Sequence, residues 1–364
     1  MTDLNYICSL MDTGCCLWIG AGLTVQIAGD PRKAPTWKDL TSRLELEARI
    51  TPNLELDYPT RLDRCCSELG AGRFKKLLRQ TYYTEISLIL LRQAQQALET
   101  DNFIPRSMRQ IACLGQIANP IVNFNIEPFT SILLARPAGP ARVIPYTEPN
   151  VPEFSYDEPA AGFRRLVYHP HGLATGSTVM TRSEYQAQGN TLAFALAVHA
   201  AFGTDLAIVG MSLEDDYLRE QITRFRKDIG SIYWFNSEFP EALAKWAQSE
   251  ENNVQMVPVD WSEFWNWWLR DRSHEINEEN LCAAWYRTLS AACDELAGGA
   301  VSSLARSFPE VAVDGSMMQL AQDLGESGVD QLSKELSRVV GEVGKRINQK
   351  GFGLPMVAST FGPA

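Results

Sequence analysis

The sequence has few of the groups that mark metal-binding or disulfide-stabilised proteins. Its 364 residues include four histidines and eight cysteines, and no two cysteines have the C-x-x-C spacing of a zinc ribbon. Two cysteine pairs, Cys15/Cys16 and Cys65/Cys66, are adjacent in sequence, which makes them a poor disulfide framework. The simplest interpretation is a cytoplasmic protein whose thiols are reduced and mostly buried.

An excess of basic charge is also missing. The chain carries 33 Lys and Arg against 44 Asp and Glu, for a net charge of −11. A phosphate backbone would be repelled by that field, so we expect no direct nucleic-acid binding. No apolar run reaches the length of a membrane span, and the first dozen residues carry no basic cluster. We therefore expect neither a membrane segment nor a secretory signal.

Several common catalytic templates are absent. No glycine loop is followed by G-K-[ST], and no H-E-x-x-H motif occurs. The segment Gly210–Glu214 (GMSLE) lacks the last glycine of a nucleophile elbow. The first glycine turn, Gly20–Gly22, does not complete the dehydrogenase fingerprint, because Val25 stands where the third glycine should be. By itself, this turn is equally compatible with a structural turn and with a nucleotide site.

Short apolar strands alternate with helical segments along most of the chain. The strands are predicted at Cys15–Gly20, Pro120–Asn125, Arg164–His169, Ser177–Thr181, Asp205–Met211, Ser231–Phe235 and Val254–Val259. The helices predicted between and before the strands include Asn5–Met11, Pro35–Arg49 with Thr36 as N-cap and Asp39 three residues later, Glu85–Leu98 and Thr191–Phe202. This alternation predicts an α/β fold with a doubly wound, Rossmann-like parallel sheet. A helical insertion module is expected at about 38–116, and a helical C-terminal extension follows the last strand. We accordingly divide the chain into a domain at 1–260 and an extension at 261–364.

Three further segments carry their own predictions. Arg136–Gly162 contains six prolines and is interpreted as a long loop. Trp261–Leu269 places four aromatic residues on one helix face, which we interpret as a lid over the sheet, with a partner surface as the alternative. Apolar residues repeat at helical spacing over Leu332–Ile347. That helix is expected either to pack on its own domain or to join subunits.

Polar residues gather where the predicted strands end, which is where α/β proteins place their chemistry. Asn125 and Glu127 follow one strand, and His169 and His171 stand two residues apart after another. A metal site at the two histidines is disfavoured, because no matched cysteines and only two other histidines are available. A second glycine turn begins at Gly210.

In order along the chain, the segments GAGLT, PTW, NIE, HG, TRSEY and GMSLEDDYLR resemble the sirtuin-like domains. The resemblance is to the divergent bacterial branch associated with NAD hydrolysis in phage defence, and it covers about residues 14–260. Its specificity lies in the order of the motifs and their positions at strand ends. The resemblance implies an NAD glycohydrolase that yields nicotinamide and ADP-ribose and acts as a regulated, NAD-depleting effector.

The same resemblance implies roles for particular residues. Asn125 would face the nicotinamide ribose and help to place the attacking water, and His171 would be the catalytic base, with His169 as its rival. The NAD-binding residues would be Gly20, Ala21, Gly22, Thr24, Trp37, Glu127, Gly210 and Ser212. Within that set the first glycine turn and Thr24 would contact the phosphates and the adjoining ribose, and the second turn would hold the adenosine side.

The sequence also departs from the family's pattern. Thr24 stands where the family usually has Ser, and Glu127 replaces the usual Asp. The structural zinc module of the deacetylases is missing, so no metal is expected and a protein deacylase becomes a minor alternative. A non-catalytic sensor of NAD or ADP-ribose is the other alternative. The expected partners are NAD and either a regulatory protein or further copies of the chain, bound through the C-terminal helices.

Overall fold

The fold centres on a parallel sheet of seven strands. The computed structural model describes residues 15–28, 36–100, 103–116, 118–135, 141–145, 165–174, 178–187, 198–272, 277–296 and 337–352. The strands are β1 Cys15–Ile19, β2 Ala118–Asn123, β3 Ala141–Pro145, β4 Arg165–His169, β5 Asp205–Val209, β6 Ile232–Asn236 and β7 Val254–Pro258. Their spatial order is β3-β4-β2-β1-β5-β6-β7, and every neighbouring pair is parallel.

The helices between and after the strands are α1 Ala21–Ala28, α2 Trp37–Ala48, α3 Tyr58–Leu69, α4 Ala71–Arg79, α5 Glu85–Leu98, α6 Arg106–Gln116, α7 Phe129–Ala135, α8 Arg182–Gln186, α9 Asp216–Arg224, α10 Glu241–Gln248, α11 Trp261–Arg272, α12 Glu278–Glu295 and α13 at 337–349. Many of them begin at side chains that cap free amides. Thr36 and Asp39 form a capping box at the start of α2, and Asp57 caps α3.

Both faces of the sheet are covered, as expected for a doubly wound fold. In β1 the side chains of Leu17 and Ile19 belong to one core cluster and those of Cys16 and Trp18 to the other. All four are fully buried. This alternation follows from the two-residue period of a strand, and burial on both sides explains why β1 is apolar throughout.

The insertion and the C-terminal helices pack together on one face of the sheet. That core cluster joins Leu40 of α2, Leu90 of α5 and Trp285 of α12 with Val343 of α13. The apolar side chains of 337–349 that the sequence singles out, including Val343, therefore lie inside this chain's own core. The residue-260 boundary falls in the short connection between β7 and α11.

The predicted fold class is confirmed: a parallel α/β sheet carries a helical insertion and C-terminal helices. Two local predictions are wrong. Within the predicted strand at 177–181, residues 178–181 do not form a strand, since Thr178 makes only an isolated bridge to Gly172 and Thr181 caps α8. The proline-rich segment includes strand β3, which pairs with β4. The predicted helix at 5–11 and most of that at 191–202 lie outside the described residues.

Within the described ranges, no helix is both long enough and apolar enough to cross a bilayer.

Candidate functional site

A cleft of about 340 Å³ opens at the carboxyl ends of β1 and β5. The strand order changes direction between these two strands, because the chain moves from β1 towards β2 on one side and from β5 towards β6 on the other. Open α/β sheets bind ligands at this switch point. The cleft is lined by Gly20–Gly22, Thr36–Lys38, Tyr58, Pro59, Phe124, His171, Gly210–Asp215, Leu218, Asn236 and Trp261.

The two glycine turns form the floor of the cleft by packing on each other. The amide of Gly22 donates to the carbonyl of Gly210 at 2.9 Å. A Cβ on Gly22 would lie 2.6 Å from Cα of Gly210, and a Cβ on Gly20 would lie 2.8 Å from the carbonyl oxygen of Gly210. Gly210 has a φ of +68°, which favours glycine. Backbone contact thus requires these glycines independently of any ligand.

His171 lies in the cleft lining with its tautomer fixed. Its Nδ1 is 2.8 Å from the carbonyl oxygen of Val179. A carbonyl only accepts, so Nδ1 carries the proton and Nε2 is the basic nitrogen of the neutral ring. Burial lowers the pKa of His171 to about 4. The ring is therefore neutral near pH 7 and able to accept a proton.

Aromatic rings surround His171 and hold it in place. Its centroid is 5.2 Å from that of Trp37 and 5.6 Å from that of Phe124, both edge-on. The ring of Tyr185 stacks on it at 5.7 Å with an interplanar angle of 25°. These contacts desolvate the imidazole, which explains its low pKa.

A chain of hydrogen bonds runs from His171 through Tyr185 to Asp215. The hydroxyl oxygen of Tyr185 is 3.3 Å from His171 Nδ1, and the hydroxyl donates to Asp215 Oδ2 at 3.0 Å. The other carboxylate oxygen, Oδ1, accepts from the amides of Tyr217 and Leu218 at the start of α9. Burial raises the pKa of Asp215 to about 6. We call these three residues the His171 cluster.

His169 belongs to a different group, which we call the His169 network: Asn123, Asn125, Ser131 and His169. Nδ1 of His169 donates to the carbonyl of Asn125 at 3.0 Å, and Nε2 accepts from the Ser131 hydroxyl at 2.7 Å. Ser131 accepts in turn from the side-chain amide of Asn123. Both ring nitrogens are therefore used inside the protein, and His169 does not line the cleft.

Asn125 lies beside the cleft rather than among its lining residues. Its Nδ2 donates to the carbonyl of Gly20 at 2.9 Å, and its backbone amide donates to Asn123 Oδ1. The residue is 4% exposed. Nothing in the described part of the chain donates to its Oδ1. The His169 network thus fixes Asn125 next to the first glycine turn.

Thr24 and Glu127 lie deeper still and contact each other. The Thr24 hydroxyl donates to Glu127 Oε1 at 3.1 Å, and both side chains are fully buried. The Glu127 carboxylate also accepts from the hydroxyl and the amide of Thr130, at the start of α7. Burial raises the pKa of Glu127 to about 7. This pair joins α1 to α7 beneath the cleft floor.

The insertion module forms the opposite wall of the cleft. The capping box at Thr36 sets the start of α2 and so places Trp37 and the exposed Lys38 in the lining. Across the cleft, burial raises the pKa of Tyr58 to about 12, together with the nearby carboxylate of Glu214, which accepts a hydrogen bond from the Tyr58 hydroxyl. The cleft therefore lies between the sheet edge and the insertion.

The structure gathers seven of the ten predicted site residues in the cleft lining: Gly20, Ala21, Gly22, Trp37, His171, Gly210 and Ser212. Asn125, Thr24 and Glu127 are adjacent or deeper. Tyr185 and Asp215 were not predicted as site residues, although both stand in segments that carry the resemblance. Asp215 has the position of an ordinary helix N-cap, and no sequence signal links it to a tyrosine 30 residues earlier.

Within the described ranges, no group of three or more His, Cys, Asp or Glu side chains is arranged to hold a metal ion.

Part of the chain matches the profile of a known protein family. A family profile described as "SIR2-like domain" matches residues 121–256. The match spans β2 to β7 and includes Asn125, His171, Tyr185 and Asp215, whereas the first glycine turn precedes it. It supports a sirtuin-like family for this part of the chain, and with it NAD binding or NAD processing. No curated protein matches the chain in a sequence search.

Proposed function

We propose that the protein is an NAD glycohydrolase, which cleaves NAD to nicotinamide and ADP-ribose. The observation that carries this proposal is His171, a neutral imidazole held with Nε2 basic in a cleft at the switch point of a SIR2-like sheet. NAD hydrolysis needs an acceptor near the ribose, and little acid assistance, because nicotinamide leaves from a cationic pyridinium as a neutral molecule.

The cleft offers groups that suit the parts of NAD. The N-terminus of α1 begins at Ala21 in the lining, and a helix start favours the negative charge of a pyrophosphate. Lys38 is a cation in the same lining. We propose that Trp37 and the second glycine turn, with Ser212, hold the remaining parts of the molecule. Thr24 and Glu127 support the floor from below.

The reaction balances with water as the second substrate. The bond between C1′ of the ribose and the nicotinamide nitrogen breaks, and its electron pair leaves with nicotinamide. A water oxygen forms the new bond to C1′, and one proton is released. We propose that His171 Nε2 accepts a proton near the ribose hydroxyls and that Asn125 Oδ1 orients the water. The exposed His199, which stacks on Phe202, is outside the cleft and serves as a control.

The test is NAD consumption by the purified full-length protein, with nicotinamide and ADP-ribose followed by chromatography. Wild type and His199→Ala should turn over NAD at similar rates. His171→Ala and Asn125→Ala should lose most of that activity while still binding NAD. Equal release of both products by wild type and His171→Ala would contradict the proposal, and brisk peptide deacetylation would favour a deacylase.

A non-catalytic sensor of NAD or ADP-ribose is the second candidate. The observation that favours it is the mutual engagement of Thr24 and Glu127, which places two expected ligand contacts outside the cleft lining. A sensor would bind NAD without product release in wild type. In that case His171→Ala would have no turnover to remove, and calorimetry would show unchanged stoichiometry.

We further propose that the hydrolase, at 1–260, is a regulated effector in bacterial antiviral defence. Unrestrained NAD loss would kill the host, so such an enzyme requires control. The extension at 261–364 is the proposed contact for a regulatory protein or for further copies of the chain. Because Val339, Val343 and Ile347 are buried in this chain's core, such contacts would use other faces of these helices. Sedimentation at several concentrations, with and without NAD, tests the oligomer.

A further inference from the structure

We propose that Tyr185 and Asp215 are positioning residues that control the tautomer and basicity of His171; this rests on the proposed role of His171 in NAD hydrolysis. The hydrogen bonds that join the three side chains all donate in the same direction, from His171 to Tyr185 and from Tyr185 to Asp215. Nδ1–H of His171 points towards the Tyr185 oxygen and the Val179 carbonyl, and the Tyr185 hydroxyl donates to Asp215.

The direction of this chain is fixed at its Asp215 end. Oδ1 of Asp215 accepts two backbone amides as the N-cap of α9, so Oδ2 is held towards Tyr185. An ionised carboxylate only accepts, which forces the Tyr185 hydroxyl to donate to it. The lone pairs of the Tyr185 oxygen then face His171 and favour a proton on Nδ1. Nε2 is left basic on the side of the ring away from Val179.

The same arrangement stabilises the ring after it accepts a proton. A protonated His171 retains Nδ1–H, and its positive charge is then joined through one hydroxyl to the partly buried carboxylate of Asp215. The stacked position of Tyr185, at 5.7 Å, keeps this path short. A carboxylate that acts through an intervening donor in this way speeds proton transfer without contacting the reacting atoms.

Protonation of Asp215 would reverse the chain. A neutral carboxyl can donate to the Tyr185 oxygen, whose own proton would then face His171 Nδ1 and compete with the required tautomer. The nearby charged groups are Asp57, which pairs with Arg182, and Glu184 on the helix of Tyr185. Since the pKa of Asp215 is about 6, this reversal would occur as the pH falls through 6.

Kinetic variants separate this role from a structural one. Tyr185→Phe should lower kcat about tenfold and Asp215→Asn about 100-fold, both with KM within about twofold. Asn is an effective N-cap, so Asp215→Asn retains the start of α9. Matched controls are Tyr217→Phe, whose ring lies 5.8 Å from that of Tyr185, and Asp216→Asn, the adjacent exposed carboxylate. Both controls should match wild type.

The pH profile is the more specific readout. Wild-type kcat should fall as the pH drops through 6, towards the level of Asp215→Asn, because that variant reproduces the reversed chain. Asp215→Asn should show no such fall between pH 7 and 5. An identical acid limb in wild type and Asp215→Asn would overturn the proposal.

A measurement independent of turnover keeps the two proposals distinguishable. The nitrogen chemical shifts of the four histidines report their tautomers in the full-length protein, and His171→Ala assigns the signal. Asp215→Asn should lower the population of the Nδ1–H form, because the Tyr185 proton then competes with the Val179 carbonyl for His171 Nδ1, whereas Tyr185→Phe removes that competitor and should leave the Nδ1–H form in place. Unchanged His171 shifts in Asp215→Asn would overturn the positioning role. A shifted tautomer without NAD turnover in wild type would instead overturn the hydrolase.

Discussion

The His169 network and the His171 cluster contain histidines that are two residues apart in the sequence, but the two rings have different surroundings. Both rings are about 1% exposed, and burial lowers the pKa of each to about 4. His169 engages both ring nitrogens with interior partners, whereas His171 fixes Nδ1 and presents its ring in the cleft lining. Equal burial and equal pKa therefore do not identify a base. Position in the cleft lining does.

The largest expected effect tests this difference in turnover. His171→Ala should reduce NAD hydrolysis about 1,000-fold, since removal of a general base typically costs between about 10² and 10⁴ in rate. His169→Ala should reduce it less than tenfold when both are assayed at a temperature where they are folded. Chromatographic rates for the two variants check this, and similar losses in both would erase the distinction between the two groups.

For the free energy of unfolding we expect the reverse order, with the larger loss in His169→Ala. His169→Ala leaves Ser131 and the Asn125 carbonyl without their partner in the interior and should lower the free energy of unfolding by about 3 kcal/mol. His171→Ala should cost about 1 kcal/mol less, because the space it leaves adjoins the cleft, where water can reach the groups left behind. Urea unfolding monitored by circular dichroism measures both. A more costly His171→Ala would contradict a structural role specific to His169.

The first glycine turn, like the His169 network, has a structural role, because it packs on Gly210. In Gly22→Ala the new methyl group would lie 2.6 Å from Cα of Gly210, so the backbone must shift, at a cost of about 2 kcal/mol. Gly72→Ala is the matched control, because Gly72 is in α4 with nothing within 4 Å of an added Cβ. It should gain about 0.5 kcal/mol from helix propensity. Thermal unfolding of the two variants should move in opposite directions.

The smallest effect concerns Glu127 and depends on pH. Because its folded pKa is raised from 4.5 to about 7, the protonated side chain contributes stability that is fully present below about pH 4.5 and is lost as the pH rises through 7. Glu127→Gln removes this pH-dependent contribution. The free energy of unfolding of the variant, relative to that of wild type, should therefore rise by about 2 kcal/mol between pH 5 and 8.

Urea unfolding of wild type and Glu127→Gln at several pH values checks that slope. Parallel stability curves for wild type and Glu127→Gln would show that Glu127 has an ordinary pKa in the folded protein.

Local signals in the sequence predicted much of the fold. The apolar β1, the capping box at Thr36 and the helix at 85–98 depend on neighbouring residues, and the structure has all three. Strand β3 was missed because its place in the sheet depends on pairing with β4, which outweighs the prolines around it. Local sequence patterns therefore predict individual helices and strands, whereas exceptions such as β3 depend on pairing with another strand.

The site was less predictable because its groups come from distant parts of the chain. Sequence reasoning left His169 and His171 as rivals, and the hydrogen bond that helps to distinguish them comes from Ser131, 38 residues before His169. Thr24 and Glu127 are 103 residues apart, so their mutual hydrogen bond could not be foreseen. Motif order predicted the edge of the sheet where the cleft lies, but not which polar side chains face it.

The most direct test of the central claim is calorimetric titration of NAD into the full-length His171→Ala protein, which should bind without consuming it. One NAD should bind per chain. Adding Ser212→Trp, which fills the cleft from an exposed lining residue, should abolish binding, whereas Ser67→Trp on the exposed side of α3 should not. Binding that survives Ser212→Trp, or no binding in His171→Ala alone, would contradict the assignment of this cleft to NAD.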